Sequence, residues 1–194
     1  RFSTRIKDYL KKTKFQRGNK VYTSEYRSLL RRIRRRPDTI YADPPYTSDN
    51  YSRYYHVLEV LARYDYPVLA RRRDGRVSKG RYPLRTYRFQ SNFCAGPRVE
   101  DEFRKLVHVS ANLGSSLVLS YAIPTGLLFK RLMPGCGTEN RALNRFLGLF
   151  KQRYKKVTLK KHSLMHSGQG DSNLQVTELI VGCRHPREAA GCGT

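Results

Sequence analysis

The stretch TIYADPPY at residues 39–46 decides the fold of this chain. Its first four residues favour a short β-strand, and the two prolines that follow stop both a helix and a strand ladder. The strand therefore ends in a rigid turn, with Asp43 at its carboxyl end. Because open α/β sheets bind their ligands at the carboxyl ends of strands, we expect Asp43 and the turn to lie at a functional edge of a sheet.

The segments around this turn alternate between strand and helix patterns. Strands are predicted over residues 21–23, 39–42, 116–121, 156–164 and 176–183. Helices are predicted over residues 25–33, 54–64, 99–112 and 139–154. Thr138 is expected to cap the last helix, and the prolines and glycines before it predict a loop that includes residues 134–138. This order predicts an α/β fold with a mostly parallel sheet and an antiparallel C-terminal hairpin.

The charge of the chain indicates a polyanionic partner. Lys and Arg number 39 and Asp and Glu number 15, which gives a formal net charge of +24. An excess of this size favours nucleic acid as the first candidate, and a merely basic surface is the alternative. No apolar run approaches the ~18 residues that a membrane span needs, so we expect no membrane partner.

The cysteines and histidines predict no metal site. Four cysteines stand far apart, without a C-x-x-C pair, at Cys94, Cys136, Cys183 and Cys192. This spacing favours free thiols in a reducing, cytoplasmic compartment. His162 and His166 stand four residues apart, but no acidic partner motif follows them. We interpret this pair as surface side chains rather than as zinc ligands.

Three groups in the turn at residues 43–46 suit one kind of chemistry. Asp43 supplies a carboxylate, Pro44 supplies a backbone carbonyl that the next proline holds still, and Tyr46 supplies an aromatic ring. The two oxygen acceptors can take both N–H donors of an exocyclic amine, and the ring can stack on a base that has left its duplex. A plain Pro-Pro turn without such a role is the alternative interpretation.

Residues 39–46 closely resemble the catalytic motif of adenine-N6 DNA methyltransferases of the Dam-like, D12 class. LVLSY at residues 117–121 is similar to the next strand of that fold, and VTELIV at residues 176–181 resembles its closing strand. Residues 21–30 resemble the strand and helix that normally carry an acidic residue near the adenine of the cofactor. The resemblance covers most of residues 20–183.

The resemblance implies a partial Rossmann-like, S-adenosylmethionine-dependent methyltransferase fold. It also implies site-specific transfer of a methyl group from S-adenosylmethionine to adenine N6 in double-stranded DNA, as in restriction–modification in a prokaryote or phage. The residues that it places in catalysis are Asp43, Pro44, Pro45 and Tyr46. The residues that it places near the cofactor are Ser24, Glu25 and Asp43.

DNA contacts are expected from residues after the turn and from a basic, turn-rich insertion at residues 66–98. Guanidinium groups neutralise phosphates, and the aromatic side chains among them can stack on a displaced base. A solvated charge run is the alternative interpretation of the insertion. The expected DNA-binding residues are Tyr51, Arg53, Tyr54, Arg71, Arg72, Arg73, Arg81, Arg85 and Arg88.

One element of this class is missing from the sequence. The aromatic-x-Gly-x-Gly cofactor loop that follows the first strand is absent, and the chain begins with Arg1. We therefore expect residues 1–194 to form a single, incomplete methyltransferase catalytic domain whose N-terminal half lies elsewhere. The alternative is a catalytically incomplete nucleic-acid-binding fragment or a pseudoenzyme of the same fold.

Overall fold

The structure, a computed structural model, describes residues 19–167 and 173–187. It divides into two compact units, Arg1–Arg34 and Arg35–Thr194. The described part of the first unit contains helix α1 (Tyr26–Arg32), where the apolar spacing predicts a helix. Glu25 caps this helix, because its carboxylate accepts a hydrogen bond from the Ser28 N–H at 3.0 Å.

The strand predicted at residues 21–23 is wrong. These residues have no regular secondary structure. Val21 is 95% exposed and Tyr22 is 51% exposed, so their side chains gain none of the burial that stabilises a strand. The β propensity of these residues is therefore not enough to form a strand at this position.

The second unit combines a sheet with helices in its described residues. The strands are β1 (Thr39–Ala42), β2 (Ser116–Ile123), β3 (Tyr154–Ser167) and β4 (Asn173–Pro186). The helices are α2 (Tyr51–Tyr54), α3 (His56–Arg63), α4 (Val99–Asn112), α5 (Leu127–Cys136) and α6 (Glu139–Lys151). The mixed α/β class predicted from the sequence is thus observed.

The sheet is mixed, with the strand order β1-β2-β4-β3. β1 and β2 are parallel, whereas β4 is antiparallel to both β2 and β3. The mostly parallel sheet predicted from the sequence is therefore not confirmed for the described residues, since residues 21–23 add no strand and β4 returns between β2 and β3. The antiparallel C-terminal hairpin is confirmed, although residues 168–172 of its predicted loop lie outside the described residues.

Aromatic rings from α4, α5 and α6 form the centre of the core. The ring of Tyr121, on β2, lies 5.0 Å from that of Phe103 and 5.8 Å from that of Phe146. Phe129 lies 5.7 Å from Phe146 on its other side. All four side chains are fully buried. The cluster fixes the carboxyl end of β2, which the parallel pairing places beside the carboxyl end of β1.

Helix α5 occupies a segment that the sequence predicts to be a loop. Three apolar side chains, Leu128, Phe129 and Leu132, are buried on one face of it. Pro134 lies in the last turn, where it removes one main-chain hydrogen bond and leaves the earlier turns intact. Gly137 then ends the helix in the left-handed region at φ +72°. Burial of the apolar face outweighs the local effect of the proline, so the loop prediction is wrong.

Helix α6 begins where the sequence predicts. The Thr138 hydroxyl accepts a hydrogen bond from the Arg141 N–H at 3.3 Å, as expected of an N-cap. Leu143, Phe146 and Phe150 are buried on its inner face. This helix covers the core next to β3.

The start of α5 requires a residue without a side chain. A Cβ at Gly126 would stand 2.4 Å from the Ala122 carbonyl oxygen and 2.5 Å from the Tyr121 ring. The ring is fully buried and the carbonyl belongs to β2, so neither can move away. Gly126 therefore sets how closely α5 approaches the end of the sheet.

We expect Gly126→Ala to lower the free energy of unfolding by about 1–3 kcal/mol through overpacking. Gly148→Ala is the matched control, because its new Cβ would meet nothing within 4 Å. That control should raise the free energy of unfolding by about 0.5–1 kcal/mol through helix propensity. Urea unfolding of both variants of the full-length protein measures the difference. Equal effects of the two substitutions would contradict the close approach.

Candidate active site

The turn after β1 forms one wall of a cavity of about 560 Å³. This volume lies within the range of roughly 300–1,000 Å³ that is usual for small-ligand sites. The four residues predicted to be catalytic all line it. The complete lining is Asp43, Pro44, Pro45, Tyr46, Tyr51, Ser52, Tyr55, Phe89, Ser91 and Cys94.

The turn is fastened to the start of α5. The Leu127 N–H donates a hydrogen bond to the Tyr46 carbonyl at 2.7 Å, and the Leu128 N–H donates to the Tyr121 hydroxyl at 2.9 Å. The Tyr46 ring also meets the Tyr121 ring edge-on, with 6.3 Å between their centroids. These contacts give a proline-rich turn a fixed position against the aromatic core.

The carboxylate of Asp43 stands at the cavity wall without a protein partner. Among residues 19–167 and 173–187, none donates a hydrogen bond to it or forms an ion pair with it. Burial raises the pKa of Asp43 above its usual value, and the negative charge of Glu178 raises it further. The cavity therefore contains an acceptor that is open to a ligand and more basic than an ordinary carboxylate.

Two tyrosines form an aromatic part of the lining. The rings of Tyr51 and Tyr55 stack, with centroids 5.9 Å apart and planes inclined at 21°. Burial, followed by the nearby tyrosines and Cys94, raises the pKa of Tyr51 to about 12. Asn50 caps α2 by accepting a hydrogen bond from the Ser52 N–H at 3.0 Å. A flat, uncharged surface of this kind suits a stacked base.

The end of the insertion contributes the rest of the lining. The Ser52 hydroxyl donates a hydrogen bond to the Phe89 carbonyl at 2.7 Å, and the Phe89 side chain is 71% exposed. Cys94 is buried, and burial raises the pKa of its thiol. Ser52, Ser91 and Cys94 were missed by sequence reasoning, because no local pattern marks residues that only the tertiary fold brings to the turn.

Arg53, on α2, contacts the insertion. Its guanidinium lies 4.6 Å from the centroid of the Tyr82 ring, which is a cation–π distance. His56 meets the same ring at 5.3 Å between centroids, and its Nδ1 lies 2.8 Å from the Arg53 carbonyl oxygen. Tyr82 is thus held between two side chains of the segment that follows the turn.

Apart from Tyr51, the other predicted DNA-binding residues whose side chains are described do not line the cavity. The exposed ones are Arg71, Arg72, Arg73, Arg81 and Arg85, and Arg88 is half-buried. Two isolated bridges, between Leu69 and Pro83 and between Arg71 and Val77, give the insertion short paired turns. The side chain of Tyr54 lies outside those described. Contact of these residues with DNA stays a prediction.

Ser24 and Glu25, which are predicted to lie near the cofactor, stabilise α1 through side-chain hydrogen bonds. The Ser24 hydroxyl accepts a hydrogen bond from Arg32 Nη2 at 3.2 Å. Burial alone would raise the pKa of Glu25, but hydrogen bonds from Arg27 and Ser28 outweigh it and lower the pKa. Their predicted role in cofactor binding stays a prediction.

The cysteines within the described residues, Cys94, Cys136 and Cys183, are free thiols, as the sequence predicts, and Cys192 lies outside that part. The same part of the chain contains no group of three or more potential metal-binding side chains. Nor does any described helix have the length and apolar content to cross a membrane.

Comparison with known proteins agrees with the resemblance noted in the sequence. Residues 1–80 match the family model of D12 class N6 adenine-specific DNA methyltransferase. Residues 1–80 are therefore similar to this class of enzymes, and the predicted resemblance is confirmed.

Two curated methyltransferases are among the relatives. The Type II methyltransferase M.FokI of Planomicrobium okeanokoites is 31% identical over 144 residues, which are 74% of this chain and 20% of that protein. Modification methylase LlaI of Lactococcus lactis subsp. lactis is 39% identical over 74 residues, which are 38% of this chain and 11% of that protein. The chain thus spans a fifth or less of the length of each relative. No solved structure gives a significant match.

The raised pKa of Asp43 predicts an effect on stability. The folded state favours the protonated form of the Asp43 carboxyl. The contribution of this carboxyl to the free energy of unfolding is therefore fully present below its pKa in the unfolded state. It is lost as the pH rises through its pKa in the folded state. We therefore expect Asp43→Asn, which cannot ionise, to raise the midpoint of thermal unfolding at neutral pH. The gain should disappear in acid. Asp65→Asn, at an exposed aspartate, is the control, and a lower midpoint for Asp43→Asn at neutral pH would contradict this reasoning.

Proposed function

We propose that this chain is the target-base-binding part of a site-specific DNA methyltransferase that transfers a methyl group from S-adenosylmethionine to adenine N6. One observation carries the proposal. Asp43, whose carboxylate has no partner among the described residues, lines a cavity of about 560 Å³ together with both prolines and three tyrosines. A flipped adenine needs this combination of an acceptor for its amino group and flat surfaces for its ring.

Different residues of the turn make different contacts with the base. The lone pair of N6 is delocalised into the adenine ring, so the amine is a weak nucleophile. The Asp43 carboxylate accepts one of its N–H donors, and the Pro44 carbonyl accepts the other, which draws the nitrogen toward a tetrahedral geometry. The Tyr46 ring stacks on the base. Fixed orientation of this kind supplies a large share of the rate in a two-substrate reaction.

The cofactor site is incomplete on this chain. S-adenosylmethionine supplies the methyl group as part of a sulfonium when it is bound. Ser24 and Glu25 use their side chains to brace α1, and the glycine-rich loop is absent from the sequence, so the residues present do not by themselves fit the cofactor. We assign the rest of that site to an N-terminal half of the longer protein.

The sheet offers a place for such a half. β1 lies at one edge of the strand order β1-β2-β4-β3, and an unpaired edge can receive further strands. Added strands would extend the parallel pair of β1 and β2 into a Rossmann-like sheet. The relatives, which are several times longer than this chain, have ample length for this.

Double-stranded DNA is the proposed partner. The net charge of +24 favours a polyanion, and the exposed arginines of the insertion are available to phosphates. Phe89 brings the end of the insertion to the cavity. One relative is named a modification methylase, which supports a role in restriction–modification in the cytoplasm of a prokaryote or phage-infected cell.

A catalytically incomplete, DNA-binding fragment or pseudoenzyme is the second candidate. The missing glycine-rich loop favours it for the 194 residues taken alone. Calorimetry of the full-length protein with S-adenosylmethionine separates the two candidates. Clear binding supports the enzyme, whereas DNA binding without cofactor heat supports the second candidate.

Asp43→Ala in the full-length protein should reduce methyl transfer by at least about 10²-fold, because it removes the acceptor for the target amine. Transfer of a labelled methyl group to duplex DNA that contains adenine measures the effect. Asp65→Ala, at an exposed position, is the control and should keep full activity. Full activity of Asp43→Ala would reject the proposed function.

Replacing Arg71, Arg72 and Arg73 together by Gln should weaken DNA binding and reduce its salt dependence. Each phosphate contact that is lost should lower the slope of log K against log salt by about 1. The control replaces Lys130, Arg131 and Arg141, which are exposed on α5 and α6, in the same way. An equal change of slope in the two triple variants would mean that the insertion has no special role.

A further inference from the structure

Ser120 on β2 stands between the strands of two acidic residues, Asp43, which follows β1, and Glu178 on β4. Ala42 on β1 pairs in register with Leu119 on β2, so Asp43 follows at the level of Ser120. Ser120 is only 2% exposed, and its hydroxyl donates a hydrogen bond to Glu178 Oε1 on β4. Asp43 and Ser120 therefore lie at the same level of neighbouring strands, and Glu178 on the next strand, β4, is hydrogen-bonded to Ser120.

The charge of Glu178 acts on two groups of the cavity wall. Burial raises the pKa of Asp43 most, and Glu178 adds to that rise. The pKa of Tyr46 is raised by burial first, then by Asp43 and then by Glu178. The charge of Glu178 therefore acts on both titratable residues of the turn.

Glu178 has no cation to neutralise it within the part of the chain that the structure describes. Its cross-strand neighbour on β3 is His162, whose side chain is exposed. The other titratable groups around Asp43 are the tyrosines of the cavity, Tyr46 and Tyr51. Glu178 is thus the acidic side chain whose charge reaches Asp43.

Two carboxylates that repel each other destabilise a fold. Such pairs are concentrated at sites where a perturbed acid or base has a chemical task. The hydrogen bond from buried Ser120 holds Glu178 in this position, although a turn outward would relieve the repulsion. The arrangement therefore points to a use for the extra negative charge.

We propose that Glu178 is a positioning residue that makes Asp43 a stronger proton acceptor for the target amine. The proposal rests on the function proposed above. Methylation leaves the N6 nitrogen positively charged, and it must lose one proton to become neutral again. Its N–H bond breaks, the electron pair stays on nitrogen, and the proton passes to a carboxylate oxygen of Asp43 and from there to water. Glu178 favours this transfer because a second negative charge stabilises the protonated form of Asp43.

Two substitutions separate the charge of Glu178 from its shape. Glu178→Gln keeps the length of the side chain and an oxygen that can accept from Ser120, but it removes the charge. Glu178→Asp keeps the charge and shortens the side chain. Glu139→Gln, at an exposed position on α6, is the control for loss of a carboxylate elsewhere.

The first readout is the titration of the Asp43 carboxyl carbon by ¹³C NMR in the full-length protein, with Asp43→Asn used for assignment. Glu178→Gln should make Asp43 titrate at lower pH than in the wild type. Glu178→Asp should stay nearer to the wild type, and Glu139→Gln should not differ from it. A titration of Asp43 that is the same in Glu178→Gln and in the wild type would overturn the proposal.

The second readout is the pH profile of methyl transfer to adenine in duplex DNA. Glu178→Gln should shift the acid limb to lower pH and reduce the rate above that limb several-fold, which is less than the roughly 10²-fold cost of losing a general base. An acid limb that does not move would also overturn the proposal. If the wild type transfers no methyl group to adenine, the proposed function fails, and the NMR titration still reports separately whether Glu178 acts on Asp43.

Discussion

The hydrogen bond from the Leu127 N–H to the Tyr46 carbonyl, 2.7 Å long, is the contact on which the candidate site depends. The two consecutive prolines have no N–H to donate, so contacts with other segments help to fix the position of the turn. Gly126 makes the contact possible, because a side chain there would clash with Tyr121. The geometry of the acceptors is therefore set by the packing of the aromatic core.

Because the aromatic core positions the turn, the same packing contributes both to the stability of the fold and to the geometry of the candidate site. Tyr121 belongs to the buried ring cluster, accepts the hydrogen bond that begins α5 and meets the Tyr46 ring. The carboxylate of Asp43, which has no partner among the described residues, has the opposite effect, since burial and Glu178 both disfavour its charge. A well-packed core thus supports a turn that carries an unfavourable group, as is common where proteins bind and react.

Much of the framework could be predicted from the sequence because its patterns are local. The helix at residues 99–112, the strand at residues 116–121 and the C-terminal hairpin have strong periodicity, and their apolar faces form the core. The turn at residues 43–46 was also predictable, because proline restricts the backbone whatever surrounds it. The resemblance to adenine methyltransferases rests on the same local motif.

The rest depends on contacts between distant segments. Pro134 suggested a loop, whereas burial of Phe129 and its neighbours made α5 a helix. The strand predicted at residues 21–23 found no burial. Ser52, Ser91 and Cys94 reach the turn only through the tertiary fold, so no spacing in the sequence marks them as neighbours. Glu178 could be read as part of a strand, but only the register with β2 brings it to Ser120.

The insertion is divided by the hydrogen bond between Ser52 and Phe89. Up to that point it is an exposed, arginine-bearing loop, and surface loops accept changes of length and composition. From Phe89 to Cys94 the same segment contributes residues to the lining of the cavity. Under the proposed function, substitutions in the exposed arginines of the outer portion would change DNA binding, while the cavity proposed to hold the base keeps its lining. DNA binding and base binding would then depend on different parts of one insertion.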